Sequence, residues 1–166
     1  MVNYPEAYIE YLAYYHGSRD YFECHEVLEE YWKEHPDSPF RVTWVGLIQL
    51  AVAMYHHRRG NWKGAVKMLS SAIRLLDDDD LGQLGIDADK LKLLINERLF
   101  KLEQNTQFVF QDMNIPFSDS SLEEQITKIR TDDVVIDPYI LNKHTLRDRS
   151  DIIRTRQAEW IRRNSN

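Results

Sequence analysis

The chain has 166 residues, of which 43% are hydrophobic and 29% are charged, and its formal net charge is −6 at pH 7. This balance is typical of a folded soluble protein and excludes a largely disordered chain, a collagen-like fibre and a disulfide-stabilised miniprotein. The negative charge disfavours wholesale binding to nucleic acid or anionic membranes. Six glycines and five prolines leave room for few turns, which favours helices over a many-stranded sheet.

Cys24 is the single cysteine of the sequence, so it can form neither an intrachain disulfide nor a metal cluster held by several cysteines. The first residues lack the basic flank and apolar core of a secretory signal. The most apolar stretch, residues 44–55, is shorter than the about 20 residues that a bilayer-spanning helix needs. These observations predict a cytoplasmic protein without a membrane anchor.

The first two helices are predicted from residues that recur at helical spacing. Pro5 suits the first turn of a helix that ends at Gly17. Asp20 is a suitable N-cap for a second helix, and Pro36 and Pro39 then force a loop. The stripe of the second helix consists of Tyr21, Cys24, His25, Leu28, Tyr31 and Trp32.

Three further helices follow in the sequence. The third is predicted over residues 41–59 and is apolar nearly all round, so it should be the central helix. Gly60 and Asn61 make a tight turn before the fourth helix. Four aspartates at residues 77–80 would oppose the macrodipole at a helix C-terminus, so we end the fourth helix at or before Asp78. A fifth helix is predicted from residue 88 to about residue 105.

The two helix pairs form an internal repeat with an offset of 41 residues, which aligns Cys24 with Ala65 and Leu28 with Leu69. Each unit has two helices, a tight turn and a small residue at the crossing, as in a tetratricopeptide hairpin. That repeat has a period of about 34 residues and needs about three copies. We therefore predict an all-α bundle of two stacked tetratricopeptide-like hairpins plus a fifth helix, rather than an open superhelix.

The chain changes character after residue 105. We divide it into a helical bundle core, residues 1–105, and a partly helical C-terminal extension, residues 106–166. Two stretches of the extension, residues 108–110 and 114–117, look extended and are expected to pack across the bundle.

Two helices are predicted within the extension. Ser120 with Glu123, and Ser121 with Glu124, are capping-box candidates for a short helix that reaches about Arg130. A final helix is predicted from about residue 141 to residue 163.

Polar residues on the second helix, the third helix and the following turn form a candidate site. They are His25, Glu26, Glu29, Gln49, His56, Arg59 and Asn61. His25 and Glu29 are four residues apart and share a helix face. The positions of the third helix that are expected to face the core are Gln49, Val52, Ala53 and His56. The cluster of His25 and Glu29 with Gln49 and His56 is therefore predicted to meet between helices.

Three interpretations of this cluster stay open. A buried hydrogen-bond network is favoured, because polar residues on an apolar face are more often satisfied core groups than ligands. Two imidazoles and a carboxylate are also suitable zinc ligands, and a carboxylate with a raised pKa would serve general acid–base catalysis. The motif His25-Glu26-x-x-Glu29 matches only the first half of the His-Glu-x-x-His motif of zinc proteases. We assign no metal and no cofactor.

No other combination of residues completes a catalytic motif. Cys24 and His25 are helix neighbours that point about 100° apart, so they cannot form a catalytic pair. Cys24 should instead be a buried, inert thiol. The sequence contains no glycine-rich phosphate loop and no Gly-x-Ser-x-Gly turn. The basic residues 56–59 end the third helix, where they suit its dipole, and Arg59 beside Asn61 is a candidate for an anionic partner.

The predicted C-terminal helix is basic and amphipathic, since residues 137–166 carry a net charge of +3. Leu146, Ile153 and Trp160 recur every seven residues, and arginines including Arg149 and Arg156 surround them. The helix either covers exposed core of the acidic bundle or is an arm that docks onto a partner protein or a second copy of the chain. Interspersed acidic residues disfavour nucleic acid as the partner.

Two motifs resemble the domain-of-unknown-function 309 family of bacteria and archaea. The first is His25-Glu26-x-x-Glu29-x-x-Trp32. The second runs from Leu47-Ile48-Gln49 through Tyr55-His56 and Arg59-Gly60-Asn61 to Gly64-Ala65. The resemblance implies a small all-helical protein and no established activity. The segment after residue 105 resembles an extension of Bacillus-type members.

Two functions follow from the sequence as hypotheses. The favoured one is a non-enzymatic protein-interaction module, because the hairpins are tetratricopeptide-like, no catalytic motif is complete and the C-terminal helix is suited to docking. The alternative is a metal-binding or hydrolytic enzyme centred on His25, Glu29, Gln49 and His56.

Overall fold

The computed structural model describes residues 2–104 and 108–129, and this part of the chain is all-α, as predicted. Its helices are α1 (Glu6–His16), α2 (Tyr21–Glu34), α3 (Arg41–Arg58), α4 (Trp62–Leu75), α5 (Asp78–Gln83), α6 (Ala88–Gln104) and α7 (Ser120–Thr127). The described residues form no strand beyond an isolated antiparallel bridge between Ile86 and Phe117. None of the described helices has the length and apolar character that crossing a membrane requires.

Helix α3 is the centre of the bundle, as its apolar composition predicts. Eleven of its 18 residues are buried. It packs between α2 and α4, while α1 packs on α2 and α6 packs on α4. The Tyr11 hydroxyl on α1 donates a hydrogen bond to the Leu47 carbonyl of α3 at 2.6 Å. The packed helix pairs are confirmed, and their likeness to tetratricopeptide units stays a prediction.

Asp20 is the N-cap of α2, as predicted, and Asn61 of the predicted turn is the N-cap of α4. The Asp20 carboxylate accepts a hydrogen bond from the Glu23 backbone N–H at 3.0 Å. The Asn61 side chain accepts one from the Gly64 backbone N–H at 3.0 Å. Gly60 makes the turn before α4 with a φ of +85°, a conformation that a side chain would strain.

The aspartates at residues 77–80 follow the end of α4 and also begin α5. The sequence predicted the end of α4 but not the start of α5. Helix α4 ends at Leu75, in agreement with the prediction. Asp77 then accepts a hydrogen bond from the Asp80 backbone N–H at 3.0 Å and caps α5. Carboxylates oppose the dipole at a helix C-terminus and complement it in a first turn, so the same residues suit the start of α5. Asp80 also accepts a hydrogen bond from the buried Thr43 hydroxyl at 2.6 Å, which joins α5 to α3.

The short helix of the extension is confirmed, but its cap differs from the prediction. Asp119 is the N-cap, and its carboxylate accepts hydrogen bonds from the Ser121 backbone N–H at 2.9 Å and from the Ser121 hydroxyl at 2.8 Å. A carboxylate is a stronger acceptor than a hydroxyl, so Asp119 takes the role assigned to the serines. The helix ends at Thr127 rather than Arg130.

Residues 108–117, which we call the strap, pack across the bundle, as predicted, and form no regular structure beyond the bridge at Phe117. Met113 and Ile115 of the strap and Leu122 and Ile126 of α7 are buried in the same core as the helices. The division of the chain at residue 105 stays a prediction. The predicted C-terminal helix and its docking residues Leu146, Arg149, Ile153, Arg156 and Trp160 lie outside the described residues.

The close approach of α3 and α4 depends on Gly46. A Cβ atom at this position would lie 2.8 Å from Leu76 Cδ2 and 2.9 Å from Leu76 Cγ. Since Leu76 is buried, we expect Gly46→Ala to lower the free energy of unfolding by about 1–3 kcal/mol in urea denaturation. Gly82→Ala is the matched control, because a Cβ there meets nothing within 4 Å and alanine favours a helix by up to about 1 kcal/mol. Equal effects of the two changes would contradict the close packing of α3 on α4.

Candidate functional site

The predicted site residues are partly exposed rather than fully enclosed in the core of the bundle. Gln49, Val52 and His56 are half-buried, and of the four positions expected to face the core only Ala53 is fully buried. The prediction for the other three is wrong, because α3 has one side that its neighbouring helices leave uncovered. Residues one position apart on a helix point about 100° apart, so Val52 and Ala53 fall on different sides.

The uncovered side of α3 is a continuous stripe between α2 and α4, which we call the α3 groove. Its floor consists of Val42, Val45, Gln49, Val52 and His56, which share a face because their spacings are three or four residues. Val42 is 57% exposed, and the other four are half-buried. The α2 side of the groove carries Phe22, His25, Glu29 and Trp32 at the same helical spacing. The α3 groove therefore combines apolar and polar side chains on a partly covered surface.

The structure brings the predicted residues together as two pairs. His25 Nε2 lies 3.9 Å from a Glu29 carboxylate oxygen, and Glu29 also lies 3.5 Å from the Lys33 ammonium. At the other end of the groove, the Asn61 side-chain amide donates to His56 Nδ1 at 3.3 Å. Gly64 makes this second pair possible, because a Cβ there would lie 2.6 Å from Asn61 Nδ2 and 3.0 Å from His56 Cδ2.

Aromatic rings connect the two pairs. The Phe22 ring lies 4.9 Å from the His25 ring and 5.7 Å from the Tyr55 ring. The Tyr55 ring in turn lies 6.0 Å from the His56 ring and 5.7 Å from the Arg59 guanidinium carbon. Glu26 is half-buried on the rim of α2.

Two of the predicted site residues have structural roles. Asn61 caps α4, and the Arg59 guanidinium lies over the Tyr55 ring.

The described residues give no support to a metal site. Within residues 2–104 and 108–129, no three His, Cys, Asp or Glu side chains form a group that could hold a metal ion. Cys24 is fully buried, and burial raises its pKa, so its thiol is inert as predicted.

Buried polar atoms in the α3 groove lack the partners that a closed structural network would supply. His25 Nδ1, Trp32 Nε1 and Gln49 Oε1 are buried and accept or donate no hydrogen bond within the described part of the chain. Leaving such an atom unpaired costs about 1–3 kcal/mol. The hydrogen-bond network that the sequence favours therefore does not satisfy these three atoms.

A second polar cluster, which the sequence pattern does not predict, lies beneath the strap. His57 is only 2% exposed, with Nε2 lying 3.0 Å from the Phe108 carbonyl and Nδ1 3.3 Å from Arg98 Nη1. The carbonyl requires a donor and the guanidinium an acceptor, so the ring is neutral with its proton on Nε2. His57 lies in the last turn of α3, as predicted, and the structure adds that the strap covers it there.

Arg98 carried a signal that could have revealed this cluster. It occupies a core position of α6, in register with Leu91, Ile95 and Leu102. A charged residue in an apolar stripe requires buried partners, and Arg98 donates to the Gln111 carbonyl of the strap at 2.5 Å. Its own pKa is lowered by burial.

Further hydrogen bonds fasten the strap to the helices. The Tyr21 hydroxyl donates to the Asp112 carboxylate at 2.5 Å, and the Arg19 guanidinium donates to the Asn114 side chain at 2.6 Å. These bonds hold the strap against the bundle. The second cluster therefore serves to attach the extension, and it contains no exposed nucleophile.

The burial of His57 predicts a pH dependence of stability. Burial lowers the pKa of His57 below its ordinary value of 6.5, so the unfolded chain binds this proton more readily than the folded protein. The stabilising contribution is present above pH 6.5 and decreases as the pH falls toward the folded-state pKa. We expect His57→Gln, which keeps a donor and an acceptor, to weaken the loss of unfolding free energy between pH 7 and about pH 5.

The exposed His35 provides the control for this measurement. Urea denaturation of His35→Gln across the same pH range measures how much of the slope an exposed histidine contributes. A slope for His57→Gln identical to that of the unaltered protein would show that His57 is protonated equally in the folded and unfolded states, contrary to its enclosure.

Comparisons with known proteins extend over both the bundle and the extension. The model of the family described as "Domain of unknown function (DUF309)" matches residues 8–68, which run from α1 into α4 and include the α3 groove. The uncharacterized protein YpuF of Bacillus subtilis (strain 168) is 41% identical over 170 residues, covering 96% of this chain and 97% of that protein. No solved structure matches the chain significantly.

Proposed function

Since the chain belongs to the family of the domain of unknown function DUF309, for which no activity is established, we propose that it is a non-enzymatic protein-interaction module of the cytoplasm. Its binding surface is the α3 groove, and its ligand is a segment of a partner protein. The cytoplasmic location agrees with the buried thiol of Cys24, since unpaired cysteines are ordinary in a reducing compartment.

One observation carries this proposal: buried polar atoms of the groove have no hydrogen-bond partner among residues 2–104 and 108–129. Gln49 Oε1 is an acceptor on the floor, and Trp32 Nε1 is a donor on the α2 side. Polar groups that do not contribute to the stability of the free protein gain their hydrogen bonds when a ligand supplies the missing partners.

The floor of the groove specifies the chemistry of the ligand. Val42, Val45 and Val52 favour an apolar face, and an exposed valine such as Val42 loses contact with water when a ligand covers it. Gln49 Oε1, between these valines, requires one hydrogen-bond donor. The floor spans 14 residue steps, about 21 Å, which accommodates about four turns of an amphipathic helix.

The alternative function, a metal-binding or hydrolytic enzyme, draws no support from the described residues. The two histidines of the cluster belong to separate pairs, and no group of side chains suited to a metal ion is present among residues 2–104 and 108–129. We therefore do not propose it.

The C-terminal helix is the second proposed contact with a partner protein or with another copy of the chain. Leu146, Ile153 and Trp160 would form its apolar stripe, and Arg149 and Arg156 its basic flanks. The acidic residues among them make nucleic acid the weaker candidate. The absence of a spanning helix among the described residues agrees with a protein that acts away from the membrane.

A photo-crosslinking residue placed at Val45 tests the α3 groove in living cells. We expect Val45 to give a discrete crosslinked protein, and we expect Gln49→Arg to reduce its yield by about tenfold, because a long cation replaces the acceptor inside the groove. The matched control site is Leu93, which is 59% exposed on α6. Gel electrophoresis and mass spectrometry of the crosslinked species provide the readout.

The comparison of the crosslinked products at Val45 and Leu93 decides whether the α3 groove is the binding surface. The same product at Val45 and Leu93, or a product that persists at full yield with Gln49→Arg, would show that the groove is not the binding surface. Circular dichroism of the Gln49→Arg protein confirms that its helices are retained.

A further inference from the structure

A second surface groove lies between α1 and the end of α7, and we call it the α1–α7 groove. Its volume is about 270 Å³, and its lining residues are Glu6, Glu10, Ala13, Tyr14 and Ile129. Ile129 is 51% exposed, an uncommon state for a large apolar side chain in this protein. The groove thus has an apolar surface that the described residues leave partly uncovered.

The charge of the α1–α7 groove is negative. Glu6 and Glu10 are four residues apart on α1 and share a face with Tyr14. Glu6 is exposed and Glu10 half-exposed, so both carboxylates border the apolar surface from the solvent side. A ligand that fits this groove needs an apolar stripe with basic residues beside it.

The chain itself supplies such a segment at this place. Ile129 is the last described residue before residues 130–166, so the remainder of the chain begins in the groove. Twelve residue steps separate Ile129 from Leu141, and an extended chain covers up to about 40 Å in that number of steps. A helix that begins at residue 141 can therefore return to the face of α1.

The C-terminal helix predicted from the sequence matches the groove in both respects. Leu146, Ile153 and Trp160 recur at heptad spacing and so form one apolar stripe. Arg149 and Arg156 lie three residues after members of that stripe, at positions next to it on a helix surface. Residues 137–166 carry a net charge of +3, which is opposite in sign to the charge of the groove.

We propose that residues 141–166 dock as a helix in the α1–α7 groove of their own chain. The short connection keeps the helix at an effective concentration in the millimolar range, which favours its own groove over that of a second copy. This inference deepens the proposed function, since it gives the C-terminal arm a resting position. Partner binding through the arm then competes with docking. The apparent affinity for the partner equals the intrinsic affinity multiplied by the fraction of chains whose arm is released.

A pair of engineered cysteines tests the docking in the purified full-length protein. Ala7→Cys places a thiol on α1 beside Glu6 and Glu10, and Ile153→Cys places another on the predicted stripe. The native Cys24 is fully buried and does not compete for a bifunctional maleimide. We expect a crosslink within one chain, seen as a monomer whose Ala7 and Ile153 peptides are joined. The matched control pair is Lys67→Cys with Ile153→Cys, because Lys67 is exposed on α4.

Charge reversal tests the electrostatic part of the proposal. Glu6→Lys together with Glu10→Lys, added to the Ala7 and Ile153 pair, should lower the intramolecular crosslink yield by about tenfold at low salt. The control is Glu123→Lys with Glu124→Lys, two exposed glutamates on α7 that do not line the groove. We expect the control to leave the yield unchanged.

Each other outcome overturns the proposal. A crosslinked dimer would assign the groove to a second copy, and a yield no higher than that of the Lys67 pair would show that the helix does not dock there. Equal losses from both charge reversals would exclude Glu6 and Glu10 as the determinants. The experiment needs no partner, so its failure is distinguishable from failure of the α3 groove as a binding surface.

Discussion

The enclosure of α3 is the constraint on which the rest of the structure depends. An 18-residue helix that is apolar on most sides can only be stable in water if other helices cover it. Gly46 allows α4 to approach closely, Tyr11 joins α1 to the backbone of α3, and Thr43 joins it to Asp80 on α5. At its C-terminal end, the strap and Arg98 of α6 together enclose His57.

Among the described residues this arrangement leaves one stripe of α3 partly exposed, and Gln49, Val52 and His56 of the second family motif lie on it. If stability alone determined which residues occupy the floor of the α3 groove, each polar group there would have a hydrogen-bond partner, and the other positions would be apolar. Gln49 and His25 instead each retain a buried atom that has no hydrogen-bond partner in the part of the chain that the structure describes. Sites that serve binding commonly lower the stability of the free protein in this way. The same reasoning separates this surface from the cluster beneath the strap, where Arg98 and His57 satisfy each other and the strap backbone.

Much of the fold could be predicted from local sequence because local interactions determine it. Helical spacing identifies the helices, and Asp20 and Asn61 cap α2 and α4 through bonds that span only three residues. The start of α5 was missed because an aspartate run has opposite effects at the two ends of a helix. The surroundings of Gln49 and His57 could not be predicted, since they depend on which distant segment covers each side of α3. The strap that covers His57 is 51 residues away in the sequence at Phe108.

A double-mutant cycle between His25 and Gln49 tests most directly whether the α3 groove is a binding surface or a structural network. The free energies of unfolding of His25→Leu, Gln49→Met and the double variant would be compared with that of the unaltered protein in urea. Because neither buried atom has a hydrogen-bond partner among the described residues, the account predicts that the two effects add within about 0.5 kcal/mol. A coupling energy above about 1 kcal/mol would show that the two residues act in one structural network and would contradict the account.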